Sequence, residues 1–182
     1  YKSLFDFKFD TYIYISSSDV YPDHGDPLKT DENTPLNHAR LEPYGLHKRL
    51  SEEIVMKNCP RWLILRSSMV LGRSLKKGPV YDILNNVPLF ITKDTRLQMF
   101  TTRAVSEVIA MLIERGAWSQ ALNMGGRGAV SFEKAEEIFE KKISFRGDGE
   151  KQEYEMGVEK LDTLYPLRTS EEYLREYLRW KD

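Results

Sequence analysis

Apolar residues in this chain gather in short runs, and the runs alternate with segments of helical period. Thr11-Tyr-Ile-Tyr-Ile15 is β-branched and aromatic and ends in Ser16-Ser17-Ser18. This is the pattern of a buried strand whose carboxyl end opens into a polar loop. Residues 22–43 are rich in Pro, Asp, Asn and Thr and show no period, which predicts a long loop of the kind that tends to be functional. Pro43 suits the first position of a helix to about Lys57. Its stripe Leu46, Leu50, Ile54 is expected to face the core. Asn58-Cys59-Pro60 ends that helix, and Trp62-Leu-Ile-Leu65 predicts a second buried strand. Strand, helix and strand in this order imply two parallel strands joined by a right-handed crossover.

Further on, Gly72, Gly78 and Pro79 mark loop, followed by a short helix from Val80 to Asn85. Pro88–Thr92 and Leu97–Phe100 are expected as short strands. Thr102 is expected to cap a helix to about Glu114 with Val105, Ile109 and Leu112 inward. Ala121–Met124 predicts another strand, and Ser131 caps a charged helix to about Lys142. Thr169-Ser-Glu-Glu172 fits a capping box opening a last helix to about Trp180. Residues 144–157 suggest no element. Gly125-Gly126-Arg127-Gly128 reads as a turn after a strand.

Composition narrows the classes. Lys plus Arg is 27 against 28 for Asp plus Glu, so no net charge draws the chain to nucleic acid or to an anionic membrane. The single Cys59 cannot form an intrachain disulfide, and His24, His38 and His47 lack metal-ligand spacing, so no metal is expected. No apolar run nears the roughly 20 residues that span a bilayer. A cytoplasmic setting is the default expectation, and the first residue, Tyr1 rather than Met, suggests a fragment.

One constellation carries chemistry. Tyr44-Gly-Leu-His-Lys48 places a phenol and an ammonium four residues apart, on one face of the helix. A phenol is a poor base at neutral pH, and a nearby cation favours its phenolate. Such a pair can exchange a proton with a substrate hydroxyl or carbonyl. Tyr and Lys at this spacing also occur on many solvated helices, so the context matters. The serines after the first strand sit where open α/β sheets bind ligands, although any one serine more often caps a turn.

A strand ending in Ser-Ser, then Val20-Tyr21, a loop with Glu32 and Pro35, Pro43-Tyr-x-x-x-Lys48 and a strand ending in Leu65-Arg66 resembles the extended short-chain dehydrogenase/reductase family. Nucleotide-sugar epimerases and dehydratases belong to it. The resemblance is close over residues 11–73 and looser beyond. It implies an α/β fold: the C-terminal half of a Rossmann-like parallel sheet over residues 1–75, with a small α+β substrate-binding lobe over 76–182. The last Rossmann strand and helix, about 102–125, would interleave with that lobe. Tyr44 would be the acid/base, Lys48 would favour its phenolate and hold the nicotinamide ribose, and Ser17 would position substrate. Ser16 would lie beside the nicotinamide of NAD or NADP. Arg66 would line the cofactor cleft. Ser18, Arg96 and Arg103 would contact a small-molecule substrate of the nucleotide-sugar kind. The helix from Tyr44 would build a homodimer, exposing Arg49, Glu53 and Met56.

The chain also departs from the family. The turn G-x-x-G-x-x-G, whose backbone approaches a dinucleotide pyrophosphate, is not in the sequence, so NAD is not distinguished from NADP. The first strand is expected to leave an edge unpaired, and the chain is expected to be inactive alone. Leu97 and Ala104 stand where the family places an Arg and an Asp, and Pro22 where Gly is usual. The competing reading is a non-catalytic member that serves as a ligand-binding or assembly subunit.

Overall fold

A computed structural model describes residues 6–180. Its centre is a three-stranded parallel sheet of β1 (Thr11–Ser17), β2 (Arg61–Ser67) and β7 (Gln120–Met124), in the order β1-β2-β7. The parallel crossover from β1 to β2 runs through α1 (Pro43–Asn58), as the strand–helix–strand pattern requires. Leu63, Ile64 and Leu65 of β2 are fully buried, each worth about 1.5–3 kcal/mol of burial. Among the described residues, no strand pairs with the outer edge of β1, and Ile15 there is 41% exposed.

After β2 the chain builds the lobe. β3 (Met69–Leu71) pairs with β6 (Met99–Thr101), and α2 (Pro79–Leu84) and β4 (Leu89–Ile91) lie between them in sequence. β5 (Arg96–Leu97) pairs with β8 (Val130–Ser131) and β10 (Glu153–Tyr154), while β9 (Phe145–Glu150) joins β4. The tract 144–157, where no element was expected, thus supplies two strands. Its polar, glycine-bearing sequence has no strand period because β9 is exposed along most of its length and buries neither face fully, and only pairing with β4 and β5 orders it.

Two large apolar clusters form, beside a small one of Val20, Tyr21 and Met156. One joins β2, β7 and α3 (Thr102–Glu114) through Leu63, Leu65, Leu122, Val108 and Leu112; the other fills the lobe around Val80, Ile83, Leu89 and Ile91. After the short α5 (Glu159–Asp162), the C-terminal α6 (Ser170–Trp180) spans both: Tyr173 belongs to the first, Leu174 and Tyr177 to the second. Its capping box closes as the sequence predicts, with Thr169 Oγ1 accepting from the Glu172 N–H and Glu172 Oε2 accepting from the Thr169 N–H. No helix among the described residues is long and apolar enough to cross a membrane.

Three expectations are corrected. In α1 the buried residues are Gly45, Ser51, Glu52 and Val55, whereas Leu50 is 40% exposed and Leu46 and Ile54 are only partly buried. The helix rests on the sheet through a small residue and an ion pair, so its apolar stripe turns away. The cap of α3 is Thr101, whose Oγ1 accepts from the Ala104 N–H; Thr102 is the first helical residue. Its deepest residues are Ala104, Val108 and Leu112, with Val105 and Ile109 at the margin. The charged segment after Ser131 is a 3-10 turn and then the short α4 (Ala135–Phe139), ended by Glu140 in a left-handed conformation at φ 53°.

Candidate functional site

The parallel register sets Ser16 opposite Arg66 and Ser17 opposite Ser67, so the carboxyl ends of β1 and β2 lie side by side. Ligands of open α/β sheets bind beyond such ends. A cavity of about 260 Å³ opens here, lined by Ser17, Ser18, Asp19, Ser68, Gln98 and Tyr154 among others. The serines of the two strand ends form one wall, and the lobe supplies the other.

Ser17 donates its hydroxyl proton to the Asp19 carboxylate. Asp19 also accepts from the Tyr154 hydroxyl at 3.1 Å. Burial, reinforced by the Asp19 charge, pushes the Tyr154 phenol up to about 12, so at neutral pH it is a donor. The ring of His24 stacks on Tyr154 at 4.0 Å, nearly parallel. Gln98, 1% exposed, fixes the far wall by donating to the carbonyls of Gly126 and Met156.

The helix bearing Tyr44 and Lys48 is brought to the same strand end by Gly45. A Cβ at Gly45 would stand 2.0 Å from the carbonyl oxygen of Asp19, so only glycine lets the first turn of α1 abut the turn Ser18–Val20. Tyr44, the preceding residue, is 58% exposed. Lys48, one turn later, donates to the carbonyl of Ile15 at 3.0 Å. Its ammonium lies 5.8 Å from the centre of the Tyr44 ring and 5.2 Å from that of Tyr14. The phenol and the cation therefore share one helix face beside the last residues of β1. Ser16 lies in that strand end, 4% exposed, and its hydroxyl is buried without a hydrogen-bond partner among the described residues.

Arg66 is placed otherwise than its expected part in the cofactor cleft. It is 4% exposed, donates to both carboxylate oxygens of Glu52 at 3.1 and 2.9 Å, and gives a third bond to the Tyr21 hydroxyl at 2.8 Å. Burial alone pushes the guanidinium down, and the Glu52 hydrogen bonds and charge more than reverse it, so it stays charged. Tyr21 passes the network on to Asn123 at 2.8 Å, whose amide donates to the carbonyls of Thr30 and Gly157. Glu32, in the long loop, accepts from the Asn123 N–H. Arg66 thus pins α1, β2, β7 and the loop together, with three of its N–H groups given to Glu52 and Tyr21.

Arg96 and Arg103 are not brought together. Arg96, on β5, pairs with Glu155 at 3.0 Å. Arg103, in the first turn of α3, pairs with Glu107 at 3.1 Å and lines a different groove. Sequence reasoning missed Asp19, Gln98, Gln152 and Tyr154, which line the cleft. Asp19 stood inside the serine tract and was legible as its polar continuation; Tyr154 lay in a segment without period, so no local signal marked it.

A family model described as the RmlD substrate binding domain matches residues 10–163. A search of curated proteins finds no match. Among solved structures, a dTDP-glucose 4,6-dehydratase from Bacillus anthracis in complex with NAD superposes with a TM-score of 0.74 at 18% identity, over 92% of this chain and 60% of that one. A UDP-galactose 4-epimerase gives 0.70 at 24%, over 92% and 62%. A UDP-glucuronic acid 4-epimerase from Bacillus cereus, in complex with UDP-glucuronic acid and NAD, gives 0.70 at 19%, over 98% and 64%. These likenesses show the Rossmann-like epimerase/dehydratase fold, and the chain spans less than two thirds of each of these structures.

Proposed function

We propose, from the premise that this chain belongs to the RmlD substrate binding domain family, that it supplies the Ser/Tyr/Lys part of an NAD(P)-dependent epimerase, dehydratase or reductase. The observation that carries this reading is the Tyr44–Lys48 face. Gly45 presses it against the turn after β1, and the Lys48 ammonium is anchored on the Ile15 carbonyl 3.0 Å away.

In this reading Tyr44 exchanges a proton with the substrate hydroxyl or carbonyl at its phenol oxygen. Ser17 orients the same substrate oxygen. Its hydroxyl proton is directed to Asp19 and its oxygen accepts from the Asp19 N–H at 3.4 Å, which leaves one lone pair to accept from a substrate hydroxyl. Tyr154 and Gln152 on the lobe side hold the remainder of a polyhydroxylated ligand. The polar cleft suits a sugar, and the neighbours' nucleotide-sugars support that substrate class. An NAD-type cofactor, when bound, supplies hydride transfer at the nicotinamide. The buried, partnerless hydroxyl of Ser16 fits a hydrogen-bonding group of that ring, with Lys48 toward the ribose.

The sequence has no glycine-rich turn for the pyrophosphate of a dinucleotide cofactor. Gly125 and Gly126 are packed against Gln98 and Ser170, and a Cβ at Gly126 would stand 2.7 Å from the Ser170 nitrogen. The 182-residue chain by itself is therefore proposed to be inactive, its dinucleotide phosphates being held by residues outside it. The exposed Leu50 and the outward stripe of α1 support a homodimer through that helix.

The deciding experiment has two arms. Titration of the chain with NADH and NADPH, followed by nicotinamide fluorescence, is expected to show no saturation at micromolar cofactor. In the protein extended by a glycine-rich half, Tyr44→Phe is expected to lower kcat by about 10²–10⁴-fold with KM little changed. Unchanged turnover removes Tyr44 from the chemistry and favours a non-catalytic member.

A further inference from the structure

A second concavity shares no lining residue with the serine cleft. It measures about 940 Å³ and lies between the loop after β3 and the first turn of α3, with Trp180 at the end of α6 as a further wall. Its charged lining is Arg73, Lys76, Lys77 and Arg103, without a single carboxylate. In a chain whose net charge is −1, this is a local concentration of cations.

Structural duty does not explain them. Arg103 is held by Glu107 at 3.1 Å and approaches Glu176 at 4.0 Å. Arg73, Lys76 and Lys77 are exposed and, among the described residues, have no carboxylate partner. Three unpaired cations within five residues repel one another, and an anion between them relieves that repulsion. The hydroxyls of Ser74 and Thr102 line the same groove. The amino end of the 13-residue α3 adds the positive pole of its dipole. The indole N–H of Trp180 is buried and has no acceptor among the described residues. Val70, Leu75 and Trp180 make the remaining surface apolar.

We propose that this groove binds a polyphosphate-bearing small molecule, with its phosphates on Arg73, Lys76, Lys77 and Arg103 and its apolar part against Val70, Leu75 and Trp180. The four cations line a single concave site, and its volume falls within the range of about 300–1,000 Å³ typical of small-molecule sites. Both features favour a compact anion over an extended acidic peptide. This site is independent of the Ser17–Tyr44–Lys48 chemistry and stands or falls separately from it.

The test is isothermal titration of the 182-residue chain at low salt with inorganic pyrophosphate and with ADP. Saturable binding is expected for both, with ADP at least as tight because the apolar wall accepts its base. The double variant Lys76→Gln/Lys77→Gln, both positions exposed, is expected to keep its circular dichroism and to weaken both ligands about tenfold or more. Ser17→Ala is expected to leave them unchanged. Absence of saturable binding at millimolar ligand overturns the assignment. So does ADP binding that survives the lysine substitutions and is lost in Ser17→Ala, which moves the ligand to the serine cleft. Tighter binding of a poly-glutamate peptide than of ADP overturns it in favour of an acidic protein partner.

Discussion

The Tyr154 hydroxyl, on β10, donates a hydrogen bond to the Asp19 carboxylate in the turn after β1, at 3.1 Å and 135 residues away in sequence. It ties the lobe to the strand end that carries the serines, and the same carboxylate holds Ser17.

Tyr154→Phe removes this tie and leaves Asp19 with Ser17 as its donor. A hydrogen bond to a charged acceptor is worth about 1.5–3 kcal/mol when both groups are buried, and the partial exposure here reduces that to about 1 kcal/mol. A lower urea midpoint with an unchanged slope is expected. A midpoint equal to that of the parent chain means the bond is not formed in solution.

Stability is expected to fall in alkali. Burial, partly offset by Arg66, pushes the Tyr21 phenol up to about 12, and burial with Asp19 does the same to Tyr154. A phenol titrating above its ordinary value of 10.0 keeps its proton longer when folded than when unfolded. Its contribution is complete below about pH 10 and is lost as pH rises through about 12. Ultraviolet titration is expected to show these two phenols ionising later than the exposed tyrosines. A single step near pH 10 with circular dichroism intact contradicts this.

Arg66→Ala leaves the fully buried Glu52 carboxylate with Arg49 alone, at 3.0 Å, and is expected to cost about 3 kcal/mol, the low end for a broken buried pair. Replacing both partners, Glu52→Leu with Arg66→Met, restores much of that, because an apolar pair carries no desolvation cost. Chemical denaturation of the three chains measures the coupling. Equal losses for the single and double variants mean that the contact with Tyr21, not the ion pair, sets the cost.

Gly45→Ala separates two opposing effects. In an open helix interior alanine stabilises by roughly 0.5–1 kcal/mol over glycine. Here the new Cβ meets the Asp19 carbonyl oxygen at 2.0 Å, and backbone cannot yield as a flexible side chain does. A net loss of about 1–3 kcal/mol is expected, read as a lower thermal midpoint. A raised midpoint shows that α1 does not approach the turn this closely.

Elements with a strong local period were legible in the sequence. The strands at Thr11–Ser17 and Arg61–Ser67 and the crossover helix that makes them parallel follow from apolar runs, Pro43 and the break at Asn58-Cys59-Pro60. The capping box at Thr169–Glu172 closed because its four residues carry all of its chemistry. The shared face of Tyr44 and Lys48 is likewise a consequence of helical spacing.

Tertiary structure decided what depends on distant partners. Which face of α1 is buried was set by Gly45 against Asp19 and by Glu52 against Arg66, two long-range contacts that outweigh the amphipathic stripe of Leu46, Leu50 and Ile54. Arg66 looked like a cleft residue by position, and only the fold showed its guanidinium consumed by Glu52 and Tyr21. Tyr154 reached the serines because β10 pairs with β5, a pairing between segments more than 50 residues apart. Local sequence fixes backbone period and capping through neighbours a few residues away. The partner of a buried charge, and the strand beside a short strand, are chosen by the packing of the whole chain.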